Sequence, residues 1–176
     1  YRNWVWEVSM DSENNPVIAM VRISGDKTSH DYYYAKWTGS EWRKTFLENG
    51  DGHFHQTPGL ELCYSGGMAI DDADANIVYC SVPIEGKNGK VYELKKYTIG
   101  ASGTIENTEQ LTFHSQKNNI RPYMITNSGE EKMLVWMNGD YYDWIVSSSR
   151  PLGYPTGIQC NFKLPEAHVD INNGLL

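Results

Sequence analysis

Residues 52–72 read GHFHQTPGLELCYSGGMAIDD and put two histidines, a cysteine, a tyrosine and a Gly-Gly pair close together in sequence. His53 and His55 are two apart, so on a strand both project from one face, and Cys63 follows beyond the TPGLEL turn region, where it could lie opposite them. Two imidazoles and a thiolate are suitable zinc ligands, and a fourth ligand would close a structural tetrahedron. His30, beside the DYYY strand, is the best local candidate for that fourth place. The spacing matches no standard zinc pattern, so unliganded, hydrogen-bonded histidines stand as the alternative. A structural ion here would fasten the loop that presents Tyr64.

The rest of the chain must supply the elements that hold such a loop. At 176 residues and 40% hydrophobic content it can bury one sizeable core. Six Trp, twelve Tyr and sixteen Gly favour β-structure, because aromatic residues suit a pleated, half-buried surface. A net charge of −7 argues against a nucleic-acid partner, which would call for clustered Lys and Arg. No apolar run of about 18 residues is present, so no membrane span is expected. Three widely spaced cysteines do not make a disulfide framework. Cys160, in GIQCNFKL, is most simply a buried small apolar residue.

A repeat organises the sequence. VSMDSENNPVIAMVRIS from Val8, MAIDDADANIVYCSVPI from Met68 and YMITNSGEEKMLVWMNG from Tyr123 share one plan, an apolar/polar strand, a polar turn and a strongly apolar strand. The turns are anchored on Asp11, Asp71 and Asn127. A third strand follows each (DYYYAKW, KVYELKKYTI, DYYDWIVSSS), and a fourth follows the first two. Four antiparallel strands per unit is the plan of a β-propeller blade, and the repeats span about residues 4–49, 64–113 and 119–164. The expected fold is all-β, with about three blades of a larger propeller. A two-sheet β-sandwich is the competing arrangement, since strand spacing alone does not separate the two. The chain opens inside an alternating strand pattern and closes on an apolar pair without a charged tail, so it is expected to be a fragment or processed piece of a longer polypeptide. The Asp-rich DDADAN lacks the glycine and distal Glu of an EF-hand loop and reads as a turn.

SHDYYYAKWTGSEWRK, YSGGMAIDDADANIVYCS and NNIRPYMI with KMLVWMNGDYYDW resemble successive blades of the BNR-repeat propellers that include ulvan lyases and related polysaccharide lyases. The resemblance covers about residues 4 to 150. It implies a seven-bladed propeller whose C-terminal blades are this chain, the remaining blades coming from the same longer polypeptide. It also implies a secreted or periplasmic protein acting on a uronate-containing acidic polysaccharide by β-elimination. In that chemistry a base removes the C5 proton, the carboxylate is neutralised, and an acid protonates the leaving oxygen. Tyr64 stands where the family's catalytic tyrosine stands, with Arg121 or Lys36 as the cation to assist it and Tyr123 lining the same cleft. His30, Lys36 and Trp136 are expected to bind the sugar chain. By the resemblance, Cys80 lies near the place expected for the family's substrate-neutralising arginine, and the family's catalytic histidine would lie upstream of residue 1. A turn role for Tyr64, a strand-end salt bridge for Arg121 and a core role for Tyr123 are the structural alternatives. Two other readings remain. One is a catalytically silent glycan-binding propeller using Trp37, Trp42, Trp136 and Trp144. The other is a sialidase-like hydrolase, for which the required carboxylate pair or Tyr-Glu couple is not seen.

Overall fold

The computed structural model describes residues 1–52, 62–126, 132–139 and 156–162. Among them there is no helix, and hence none long and apolar enough to cross a membrane. The first sheet (A) consists of β1 (Arg2–Met10), β2 (Pro16–Ile23), β3 (His30–Trp37) and β4 (Trp42–Asn49), antiparallel and in sequence order. The second (B) repeats this with β5 (Met68–Ile70), β6 (Ile77–Gly86), β7 (Gly89–Ile99) and β8 (Ile105–Gln110). The third (C) comprises β9 (Asn119–Met124), β10 (Leu134–Gly139) and β11 (Thr156–Cys160), with β10 in the middle. The expected strand DYYDWIVSSS lies outside the described residues. Among the described residues the strands form three antiparallel sheets of three or four strands packed in succession, an arrangement consistent with propeller-like blades.

Alternation explains why the sheets stack. Along β2, Val17, Ala19, Val21 and Ile23 point to one side and are buried. With Tyr32 and Tyr34 of β3 they meet Met68, Ile70, Val78, Cys80, Val82 and Tyr97 of sheet B. The opposite face of sheet B offers Ala69, Tyr79 and Leu94 to Met124, Leu134 and Trp136 of sheet C. Sheet B therefore has two apolar faces, as period-two side-chain alternation permits when both sides are covered. Hydroxyls also cross the first interface in both directions. Tyr32 donates to the Ser81 carbonyl at 2.9 Å, and Tyr92 donates to the Gly50 carbonyl at 3.0 Å.

The repeat is visible in this packing. Val8, Met68 and Met124 each stand three residues before their turn anchors. Met68 and Met124 are both 3% exposed beneath the preceding sheet, whereas Val8 is 60% exposed. The equivalent face of sheet A is open. Val5, Met20, Tyr33 and Phe46 lie across it in register.

The anchoring aspartates close their hairpins in a common way. Asp11 Oδ1 accepts the N–H groups of Glu13 (2.9 Å) and Asn15 (2.8 Å), and Oδ2 pairs with Lys36 at 2.8 Å. Asp71 Oδ1 accepts the N–H groups of Ala73 (2.9 Å) and Asp74 (3.1 Å) and pairs with Lys132 of the next sheet at 3.0 Å. DDADAN is thus a turn whose first aspartate serves as its backbone acceptor.

Both carboxyls sit below the ordinary range. For Asp11 the Lys36 bond is the main cause, working against burial. For Asp71 burial pushes upward, and the bonds from Ala73, Lys132, Asp74 and Tyr79 outweigh it. A carboxyl whose folded value is lowered adds stability above its unfolded value, near 3.8, and loses it as pH falls through the lowered folded value. Urea unfolding at pH 6 and pH 3 should therefore show a larger acid loss in the native protein than in an Asp11→Asn, Asp71→Asn double variant. Equal losses would show that these turns do not carry the acid sensitivity.

Candidate functional site

The first strands β1, β5 and β9 lie side by side, and the links that enter β5 and β9 sit at one end of the sheets. The site forms where the β4–β5 link reaches β5. Its backbone comes unusually near its neighbours. A Cβ on Gly66 would lie 2.6 Å from Ser81 Oγ and 2.8 Å from Tyr92 Cδ1. A Cβ on Gly67, whose φ is +111°, would lie 3.2 Å from the Arg121 Cα. Gly66 makes room for Ser81 and Tyr92 of sheet B, and Gly67, at a φ that favours glycine, lets β9 approach this closely.

That approach fixes Arg121. Its N–H donates to the Gly66 carbonyl at 2.7 Å, and its φ of 54° is in the left-handed region, which a long side chain rarely adopts. The guanidinium carbon is then 4.7 Å from the centroid of the Trp6 ring and 5.2 Å from that of Tyr64. Trp6 donates through Nε1 to Ser65 Oγ at 3.2 Å, so one side chain holds the link beside Tyr64 and faces the cation. Trp4 adds a tilted ring contact to Tyr64, with centroids 5.7 Å apart. Arg2 Nη1 lies 3.9 Å from Cys63 Sγ. Tyr123, two residues along β9, is 62% exposed.

A guanidinium among aromatic rings gains cation–π attraction, and the N–H groups at its edge remain suited to a planar carboxylate. Aromatic rings next to such a cation suit a sugar, whose C–H face packs on a ring while its charge meets the arginine.

The expected residues are distributed unevenly. Tyr64 and Arg121 are brought together across two sheets, with Tyr123 on the same strand as Arg121. His30 is buried, and its Nε2 donates to the Leu62 carbonyl at 3.1 Å, next to Cys63. His53 and His55 lie outside the described residues, as does Trp144. Lys36 is at the other end of β3 from His30, roughly 20 Å away at the usual strand rise. It pairs there with Asp11 and donates to Asn76 Oδ1 at 3.2 Å, so the cation beside Tyr64 is Arg121 and not Lys36. Trp136 is buried between sheets B and C, its indole N–H donating to Asn119 Oδ1 at 2.9 Å. Trp37 and Trp42 contact each other edge to face on the open side of sheet A. Cys80 points into the core, where burial pushes its thiol well up, so that strand position does not reach the site.

Sequence reasoning missed Arg2, Trp4 and Trp6, reading WVW as ordinary strand alternation. The repeat carried a usable signal. The spacing that takes Asp11 to Asp71 also takes Trp4 to Tyr64, placing an aromatic at the same point of both units.

Gly67→Ala tests the close approach. The added methyl meets Arg121 backbone at a φ that side chains avoid, so unfolding free energy should fall by about 1–3 kcal/mol. Tryptophan fluorescence should also shift as Arg121 moves off Trp6. An unchanged midpoint and spectrum would remove the constraint.

Among known proteins, residues 1–50, which contain all of sheet A, match the model of a BNR repeat-containing family member. No curated protein and no solved structure matches the chain.

Proposed function

We propose that this chain recognises a uronate-containing acidic polysaccharide at the Tyr64–Arg121 end and takes part in cleaving it by β-elimination, as the C-terminal blades of a seven-bladed propeller. The observation that carries this reading is the Arg121 guanidinium lying against both Trp6 and Tyr64. Arg121 would hold the sugar carboxylate, and Tyr64 would take the C5 proton. The electron pair left on C5 forms the C4–C5 double bond as the C4–O bond breaks, and the departing oxygen takes up a proton. A polymeric substrate of this kind fits a secreted or periplasmic protein.

The open apolar face of sheet A supports a further blade from the same polypeptide packing before it, because sheets B and C bury the equivalent face beneath their predecessors. Zinc held by His53, His55 and Cys63, with His30 as a fourth ligand, would pin the β4–β5 link. The placement of the His30 ring against Leu62, next to Cys63, favours it.

A catalytically silent glycan-binding role is the second reading. The Trp4–Tyr64 ring contact favours it, since Trp4 is exposed and offers a stacking surface.

Tyr64→Phe in the full-length protein separates the two. As the proton-abstracting base, Tyr64 should lose turnover by about 10²- to 10⁴-fold on replacement, with little change in melting temperature. Absorbance of the unsaturated product on glucuronan or ulvan gives the rate, and calorimetry gives the melting temperature. Retention of more than about a tenth of the rate would end the catalytic assignment. Binding to native protein without any turnover would select the second reading.

A further inference from the structure

We infer that the β8–β9 link, residues 111–118, forms a second subsite for anionic sugar residues at the same end of the sheets as Tyr64 and Arg121. This rests on the acidic-glycan reading above. Two contacts place the links together. Lys90, at the start of β7, pairs with Asp51 where the β4–β5 link begins. Asn88, in the turn before Lys90, donates through Nδ2 to the carbonyls of His114 (3.1 Å) and Ser115 (3.2 Å).

The loop is firmly held yet presents its chemistry outward. Beneath it, buried Glu93 accepts Ser115 N–H and Oγ–H, both at 2.8 Å, Asn119 Nδ2 at 3.0 Å and the Thr112 hydroxyl. These bonds hold His114 at φ 53°, a conformation costly for a residue with a side chain. Above them Phe113 is 60% exposed, and His114 and Lys117 are exposed as well. A hollow of about 190 Å³ lies between the loop (Phe113, His114) and the β6–β7 hairpin (Glu85, Lys87), with Val91 and the buried Glu93 also lining it.

Charge identifies the ligand class. From Leu111 to Gly129 the sequence contains no Asp or Glu, while His114, Lys117 and Arg121 fall within it, in a chain whose net charge is −7. The acid nearest the loop is Glu93, which is spent on its anchoring bonds. The loop itself offers an apolar ring, an imidazole and an ammonium and no carboxylate, and the exposed Glu85 on the opposite wall of the hollow is accompanied by Lys87, so the loop side matches a sugar that carries a carboxylate or sulfate. A glycan seated on Arg121 would reach this loop with further residues of the same chain.

Calorimetric titration of the full-length protein with glucuronate dimer and hexamer tests the assignment. In a Phe113→Ala, Lys117→Gln variant the ratio of hexamer to dimer affinity should fall about tenfold, the loss of a charged hydrogen bond or a buried contact. His114→Gly should raise the melting temperature by releasing the left-handed strain and should lower the same ratio. Unchanged ratios in both variants would overturn the subsite. If Arg121→Ala still abolishes binding, that result leaves the Tyr64–Arg121 reading standing. Native protein that binds neither oligomer would overturn both.

Discussion

The approach of β9 to the Gly66–Gly67 backbone is the constraint on which the site depends. Three first strands can lie side by side only if side chains do not hold them apart, and Gly67 supplies a residue without one against the Arg121 backbone. The gain is positional. Arg121 is carried by the third sheet, Tyr64 precedes the second and Trp6 belongs to the first, yet a guanidinium ends within cation–π range of both rings. The left-handed backbone at Arg121 is the local cost, offset by its N–H bond to the Gly66 carbonyl and by packing on both sides.

Polar groups buried between sheets B and C give the second anchor. Asn119 uses its amide nitrogen on the Tyr92 carbonyl (3.1 Å), Glu93 and Ser115, while its oxygen accepts from Trp136 and from Asn138, each at 2.9 Å. A buried carboxyl is tolerable when it is well hydrogen-bonded, and Glu93 accepts four bonds, one on Oε1 and three on Oε2. This network fixes the start of β9, two residues before Arg121, so the order of the interior sets the aim of the surface.

Much of the architecture was legible in the sequence because it rests on local rules. Period-two alternation gave strands, and the recurrence of Asp11 and Asp71 gave hairpins closed by the same backbone bonds. The pairing of Tyr64 with Arg121 followed from the resemblance rather than from spacing, since no local pattern brings residues from separate sheets together. Lys36 misled for that reason. Its charge suited Tyr64, but the direction of β3 carries it to the far end, to Asp11. Trp136 was taken for a sugar platform because exposure is not written in a residue type, and here its indole is consumed by Asn119. The β8–β9 link went unnoticed because its meaning depends on Glu93 and Asn88, which reach it from another hairpin.

The ion pair between Asp71 and Lys132 has a consequence in the time domain. Asp11 draws its lysine from its own sheet, so the first hairpin has all its partners once β3 has been made. Asp71 draws its lysine from the following sheet, about sixty residues later in the chain. During synthesis from the N-terminus, at the usual pace of several residues per second, the second hairpin stays incompletely capped for several seconds. Its exposed Ala69 and Tyr79 wait over the same interval for Met124 and Leu134. The vulnerable moment for this chain on the ribosome is thus the gap between finishing one sheet and receiving the next, when an apolar face has been built before its cover.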